Sequence, residues 1–336
     1  MMEKREDIMN FGVKRILAGL IVLTLALSLT GCAKTTPKMQ ELQIAASQGA
    51  GSYPLAPMVE NNALKDMADK TVIVPWVTSE QLSAMVTSNQ AQFAITPITN
   101  ALMLYNKGAD LKLVNVAVWG MLYILSADDS VKTIADLKGK EIAVTGGGTS
   151  YHGNILRHIL IKNNLDPDKD LTIINMDMAE ASSKLATGAI KLALSNEPNS
   201  TITIANALKG NITVTRAIDL QVEWGKAVGS NNARIPQAGL IVVGNNAQNK
   251  ALVDAVSKQF AEGWINENPA QAGPLVEKYF PKMKAAAVEN SLTYARLEPL
   301  AGAECKQEIN AFLNEFLQTA PPASIGGKLP DDGFYY

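Results

Sequence analysis

The chain has 336 residues, 47% hydrophobic and 18% charged, with a formal net charge of −2. That is an ordinary globular composition, and no basic excess marks a nucleic-acid partner. Two cysteines (Cys32, Cys305) and two histidines (His152, His158) give no spacing that resembles a metal-ligand set, so neither a metal nor a cofactor is expected.

At the start, Lys14-Arg15 precede an apolar run from 16 to 29. The run has the length of a signal-peptide core and falls short of the roughly 20 residues of a spanning helix. Small residues then lead into a cysteine, and Leu29-Thr30-Gly31-Cys32 resembles a bacterial lipobox. The resemblance implies cleavage before Cys32, acylation of that cysteine and retention of the mature chain on a membrane, outside the cytoplasm. A plain signal peptide or an N-terminal membrane helix is the alternative. Residues 1–31 are therefore set aside as a signal, and 32–40, polar with one proline, read as a flexible tether. With Cys32 acylated, Cys305 has no disulfide partner, and packing alone must hold the remaining 300 or so residues.

From there β-branched runs alternate with amphipathic stretches, the signature of an α/β protein with parallel sheets. Segments 42–46, 71–74, 92–95 and 111–118 read as strands, separated by helices opened by Pro54, by Thr78 or Ser79, and by Pro97. The pattern resumes with strands at 141–144, 171–174, 189–194, 212–214 and 239–243, and with a glycine-rich loop at 146–150 that opens a helix over 151–162. After 243 only helical patterns are expected, including 251–264 and 304–317, followed by an extended surface tail.

The run Ile134-Ala-Asp-Leu-Lys-Gly-Lys-Glu-Ile-Ala-Val144 leads into a strand, and a glycine-rich loop with Thr149 and Ser150 follows it. Together with 47–54, Ala94-Ile-Thr-Pro97, Lys184-Leu-Ala-Thr-Gly188 and Glu197-Pro198, it resembles the nitrate, sulfonate, taurine and thiamine-precursor binding proteins of ABC importers. This group is NMT1/THI5-like and SsuA/TauA-like, and the resemblance spans about 42–280. It implies the α/β type II periplasmic-binding-protein fold: two lobes, each a mainly parallel sheet flanked by helices, closing on a ligand. The chain would cross near 125–130 and 234–237. Lobe one would then be 41–125 plus 238–320, lobe two 126–237, and 321–336 the tail.

Ligands of open parallel sheets sit outside the carboxyl ends of the strands. The loops there are 47–53, 75–78, 96–100, 119–121, 146–152, 175–178 and 195–199. Within them, Gly49 and Gly51 admit close backbone approach, Ser52, Tyr53 and Thr96 offer hydroxyls, and Gly147, Gly148, Thr149 and Ser150 form a candidate polar-group cradle at a helix start. His152 is a candidate donor, Tyr53, Trp76 and Trp119 candidate aromatic faces, and Asp177, Asn196 and Glu197 candidate polar contacts. Tight turns, N-caps and core packing account for the same residue types equally well. His158, beside an apolar stripe, is expected to pack.

These loops contain Asp177 and Glu197 but no lysine or arginine. A nitrate or sulfonate would depend on hydrogen bonds and helix dipoles alone, so a neutral or cationic planar organic ligand is favoured. The expected role is that of a monomeric, lipid-anchored solute-binding protein that delivers its ligand to an ABC permease. A ligand-sensing receptor of the same fold and, with less support, a biosynthetic enzyme of the THI5-like type are the other readings.

Overall fold

The computed structural model describes residues 38–336 apart from Asn231. The signal, the lipobox and the tether as far as residue 37 lie outside the described residues. In chain order the first elements are β1 (Met39–Ala46), α1 (Leu55–Glu60), β2 (Ala68–Pro75), α2 (Ser79–Thr87), β3 (Phe93–Pro97), α3 (Ile98–Asn106), β4 (Leu111–Trp119) and β5 (Leu122–Ser126). There follow β6 (Glu141–Val144), α4 (Tyr151–Lys162), β7 (Thr172–Asn175), α5 (Met178–Ala186), β8 (Leu192–Asn196), α6 (Asn199–Lys209), β9 (Thr215–Asp219), α7 (Leu220–Ala227) and β10 (Pro236–Val243). The last are α8 (Lys250–Ala261), α9 (Trp264–Glu267), α10 (Pro269–Tyr279), α11 (Ala285–Ala295), β11 (Leu297–Ala301) and α12 (Lys306–Phe316).

The strands form two sheets, ordered β11-β4-β10-β3-β1-β2 and β7-β6-β8-β5-β9. Each sheet contains an antiparallel strand that enters it directly after a crossing: β5 runs against β8 and β9, and β10 against β3 and β4. Helices cover both faces of each sheet, so strand residues alternate between two apolar layers. Leu240 and Val242 join one hydrophobic cluster with α1, α8 and α10, while Ile241 and Val243 join another with α2, α3 and α12. In the second lobe Ile142 and Val144 face α4 and α7, and Ala143 faces α5.

Several boundaries differ from the sequence reading. The chain leaves the first sheet between Trp119 and Leu122, not near 125–130, because 122–126 is already β5 of the second sheet. Apart from Lys112 and Asn115 the stretch from 111 to 125 is apolar, and Gly120 is its only glycine or proline. Gly120 has φ +62, and a Cβ there would lie 2.1 Å from Gln221 Oε1, so the crossing turns where only glycine fits. Its N–H donates to Ile235 O at 2.9 Å, tying the outgoing crossing to the returning one. β1 begins at Met39, inside the expected tether, since Met39 pairs with Ala68. The segment after β10 contains a strand, β11, at the edge of the first sheet.

The C-terminal tail is a packed segment, not an extended surface one. Ile325 and Phe334 are fully buried, Leu113 bridges Tyr335, and Tyr336 N–H donates to Leu113 O at 3.0 Å. The last helix, α12, follows the first sheet in sequence but seats its aromatic face on the second lobe. Phe312 lies 5.0 Å from Trp224 and Phe316 5.7 Å from Tyr151, ring centroid to ring centroid.

Candidate functional site

The carboxyl ends of β1, β3, β6 and β8 converge on the two crossings, and a cavity of about 170 Å³ lies there between the sheets. The 47–52 segment, Thr96, Pro97, Gln237 and Ala238 form its first-lobe side. Tyr151, His152 and Asn196 form the second-lobe side, with Met121 of the crossing between them. Larger open grooves lie on the flanks, one between α6 and α11 and one between α5 and α6. A third groove reaches both crossings at Trp119 and Arg234, but none of the three touches the loops after β1 and β3, which the smaller central cavity joins to Tyr151, His152 and Asn196, so that cavity is the better candidate.

Each wall follows from local sequence chemistry. Gly49 through Ser52 fold into a 3₁₀ turn, and Ser52 Oγ donates to Ser47 O at 2.7 Å, which closes the loop after β1. Pro97 ends β3 and starts α3, and Thr96 Oγ1 accepts from Asn100 Nδ2 at 3.2 Å. Ser150 caps α4, its Oγ accepting from Gly153 N at 3.1 Å, which sends the first turn of that helix toward the cavity. Gly153 is needed there because a Cβ would meet Gly147 O at 2.2 Å.

Among the described residues, no aspartate, glutamate, lysine, arginine or cysteine lines the cavity. His152 is the one titratable imidazole in it, and burial pushes its pKa down to about 4, so the ring is neutral at pH 7. Gln237, only 3% exposed, accepts from Met121 N at 3.1 Å and stands 3.3 Å from His152 Nε2.

Of the residues singled out in the sequence, the structure brings Gly49, Gly51, Ser52, Thr96, His152 and Asn196 together around this cavity. The others stand elsewhere. Tyr53 is fully buried with its hydroxyl 3.2 Å from Ser291 Oγ. Trp76 donates its indole N–H to Ile95 O at 3.2 Å, and Trp119 to Glu298 O at 2.9 Å under the guanidinium of Arg234. These three aromatics pack the first lobe and stand outside the lining of the central cavity. Gly147, Gly148 and Thr149 form a 3₁₀ turn outside the lining, with Gly147 O accepting from Ser150 Oγ at 2.8 Å and Thr149 O from Asn154 Nδ2 at 2.9 Å. Ser150 acts as the helix cap.

The two carboxylates of the cleft loops also point away. Asp177 caps α5, accepting from Ala179 N at 2.8 Å, and lines the groove between α5 and α6. Glu197 is fully buried and ion-paired with Arg216, Nε to Oε1 2.8 Å. Without an acid in the lining, the case for a cationic ligand falls, and Tyr151 is left as the cavity's aromatic ring. Gln48, Met121 and Tyr151 occur in the loops expected to face the ligand, although none was singled out within them. Gln237 belongs to the crossing expected at 234–237. Its signal was a carboxamide placed at the point where the chain re-enters the first sheet.

Two lobes joined by paired crossings, with a mixed sheet in each and a cavity at the junction, define a type II periplasmic-binding-protein fold. Residues 71–234 match the NMT1/THI5 like family, the group that the sequence resembles. Among solved structures the chain is similar to an ABC transporter protein from Parabacteroides distasonis, with TM-score 0.70 and 21% identity over 88% of this chain and 99% of that one. It is also similar to the periplasmic aliphatic sulphonate binding protein SsuA from Escherichia coli, with TM-score 0.63 and 19% identity over 86% of this chain and 99% of that one. A third is the periplasmic nitrate-binding protein NrtA from Synechocystis PCC 6803, with TM-score 0.58 and 14% identity over 86% of this chain and 85% of that one. No curated protein matches the chain.

Proposed function

We propose that this chain is the extracytoplasmic solute-binding component of an ABC importer, held at the membrane by a lipid on Cys32. The carrying observation is the cavity at the paired crossings, walled by both lobes and, among the described residues, free of charged side chains. A ligand seated there contacts both lobes at once, so binding favours the closed arrangement, and a permease that recognises that arrangement receives loaded protein. Among the described residues His152 is hydrogen-bonded to Gln237 and to no serine or carboxylate, so the paired base that activates a nucleophile is missing from the lining, which supports capture over chemistry. The relatives' names, sulphonate-binding and nitrate-binding, agree with that role.

The ligand is a compact organic molecule, uncharged or with one small oxyanion head. Apolar Ala50, Ile95, Pro97, Met121 and Ala238 suit its body, and the neutral polar groups suit its head. Free N–H groups at the starts of α3 and α4 favour acceptor oxygens there.

A thermal-shift panel of alkanesulfonates, nitrate, pyrimidines, thiamine precursors and amines tests this reading, because a ligand that binds only the folded chain raises its apparent stability. Acceptor-bearing members should raise the midpoint and amines should not, and the active compound should compact the protein in solution scattering. A response confined to amines, or no compaction with a ligand that does bind, contradicts the proposal. For the anchor, Cys32→Ala should release a soluble and still ligand-competent chain. If that variant stays on the membrane, the lipid is not what holds it.

A further inference from the structure

Gln237 does more in this cleft than close a crossing. Its Oε1 accepts from Met121 N at 3.1 Å, and a backbone N–H only donates, so the orientation of the amide is fixed with its NH₂ toward the second lobe. That NH₂ stands 3.3 Å from Nε2 of His152. An amide nitrogen also only donates, so the imidazole nitrogen facing it must be the bare, accepting one. In a neutral ring the hydrogen then sits on Nδ1. Among the described residues no group is hydrogen-bonded to Nδ1, while the ring itself lines the cavity. The side chain of Gln237 has little room to turn, at 3% exposure, and the neighbouring Tyr151 hydroxyl anchors the same helix start by donating to Pro236 O at 3.2 Å.

We propose that Gln237 is a positioning residue that locks His152 in its Nδ1–H form, so that the second lobe presents the ligand with a directed, uncharged hydrogen-bond donor. This rests on the central cavity being the binding cleft. Its consequence is selectivity: a ligand must place an acceptor, such as a sulfonate or carbonyl oxygen or a bare ring nitrogen, against that N–H. A ligand with only a donor there leaves two hydrogens facing each other and is rejected. The lock also connects the lobes, since the chain Met121 N–H to Gln237 to His152 joins both crossings to the ligand-facing end of α4.

The ring state is measurable directly. The chain has only two histidines, so an imidazole ¹⁵N spectrum of the whole mature protein at pH 7 contains two rings, and His152→Gln assigns them by subtraction. The proposal expects the His152 hydrogen on Nδ1 with Nε2 bare. Gln237→Leu should return the ring to a mixture of tautomers, and Gln237→Glu, whose second oxygen accepts, should draw the hydrogen to Nε2. Hydrogen on Nε2 in the unmodified protein overturns the proposal, as does a Gln237→Leu chain with unchanged ring signals. Should His152→Gln fail to fold, His158→Gln makes the same assignment by leaving only the His152 ring in the spectrum.

With ethanesulfonate as the probe, binding should move the Nδ1 proton signal, and Gln237→Leu should weaken that binding about tenfold, the scale of one buried hydrogen bond. Ethanesulfonate that binds without moving the signal also overturns the proposal. Failure of every panel compound to bind counts against the ligand class proposed above, whereas hydrogen on Nε2 counts against the lock, so the two failures are distinguishable.

Discussion

Arg216 holds the fully buried Glu197 with Nε 2.8 Å from Oε1, and its guanidinium lies 3.7 Å from the ring centroid of Tyr294 on the opposite lobe. Its Nη2 also donates to Thr201 Oγ1 at 2.6 Å, so the carboxylate, the arginine and the hydroxyl form one satisfied network beside the lobe junction. A carboxylate placed just after a strand end looked like a ligand contact in the sequence. In the fold it neutralises an arginine.

Removing one partner of this pair strands a buried charge. Arg216→Met should cost about 3–5 kcal/mol of unfolding free energy, and the double change Glu197→Gln with Arg216→Met should recover much of it. Denaturant unfolding of the three variants measures the difference. A loss under 1 kcal/mol for Arg216→Met means the pair is solvated in solution.

For Tyr53 and Trp119 the expected loss is structural. Truncation to alanine at either position should cost about 3–5 kcal/mol, because each leaves a large void in the first lobe. Tyr53→Phe, which gives up only the contact with Ser291, should cost about 1 kcal/mol. Affinity per folded molecule should change little in all three. Calorimetric titration beside thermal melts separates the two effects, and a selective loss of affinity would put these rings back at the ligand.

Gly120 combines a left-handed backbone with a neighbour too close for any side chain. Gly120→Ala should therefore lower stability by about 2 kcal/mol or more, from strain together with displacement of Gln221. Gly139 has φ +75 in open space, so Gly139→Ala isolates the backbone cost alone. Equal melting temperatures for the two alanine variants would show that Gln221 moves aside freely.

Both histidines have pKa values lowered by burial, to about 4 for His152. Between that value and the ordinary value near 6.5 the unfolded chain binds more protons than the folded one. The stability from neutral His152 is thus complete above pH 6.5 and lost as pH falls toward 4. A series of unfolding curves from pH 7.5 to 4 should show this decline, and His152→Gln should flatten part of it. An unchanged slope in that variant would assign the whole decline to other groups, His158 among them.

Much of the architecture was legible because local chemistry and tertiary demand agree. Thr78 caps α2 in a reciprocal box with Gln81, as its position before an apolar run suggests. The β-branched runs at 92–95, 141–144 and 239–243 are buried strands for the same reason. What escaped was decided by non-local pairing. The run 122–126 follows β4 with one glycine as the break, and no local signal says that it changes sheet. β11 contains Pro299, which is tolerated because the strand pairs only with β4 at an edge. In the site, the loops facing the ligand followed from topology, but the direction of each side chain did not. Glycine and hydroxyl residues at 147–150 spell a cradle and a helix cap equally well, and only the packing of Gly153 onto the turn separates them.

The seating of α12 on the second lobe constrains the order in which the molecule can be completed. The layer containing Ile155, Ile159 and Trp224 shares its apolar cluster with Ile309, Phe312, Leu313 and Phe316. Those last residues emerge only after nearly the entire chain has been made. Until they arrive, the middle of the protein keeps a greasy flank open, and the apolar layer over Ile155, Ile159 and Trp224 is incomplete.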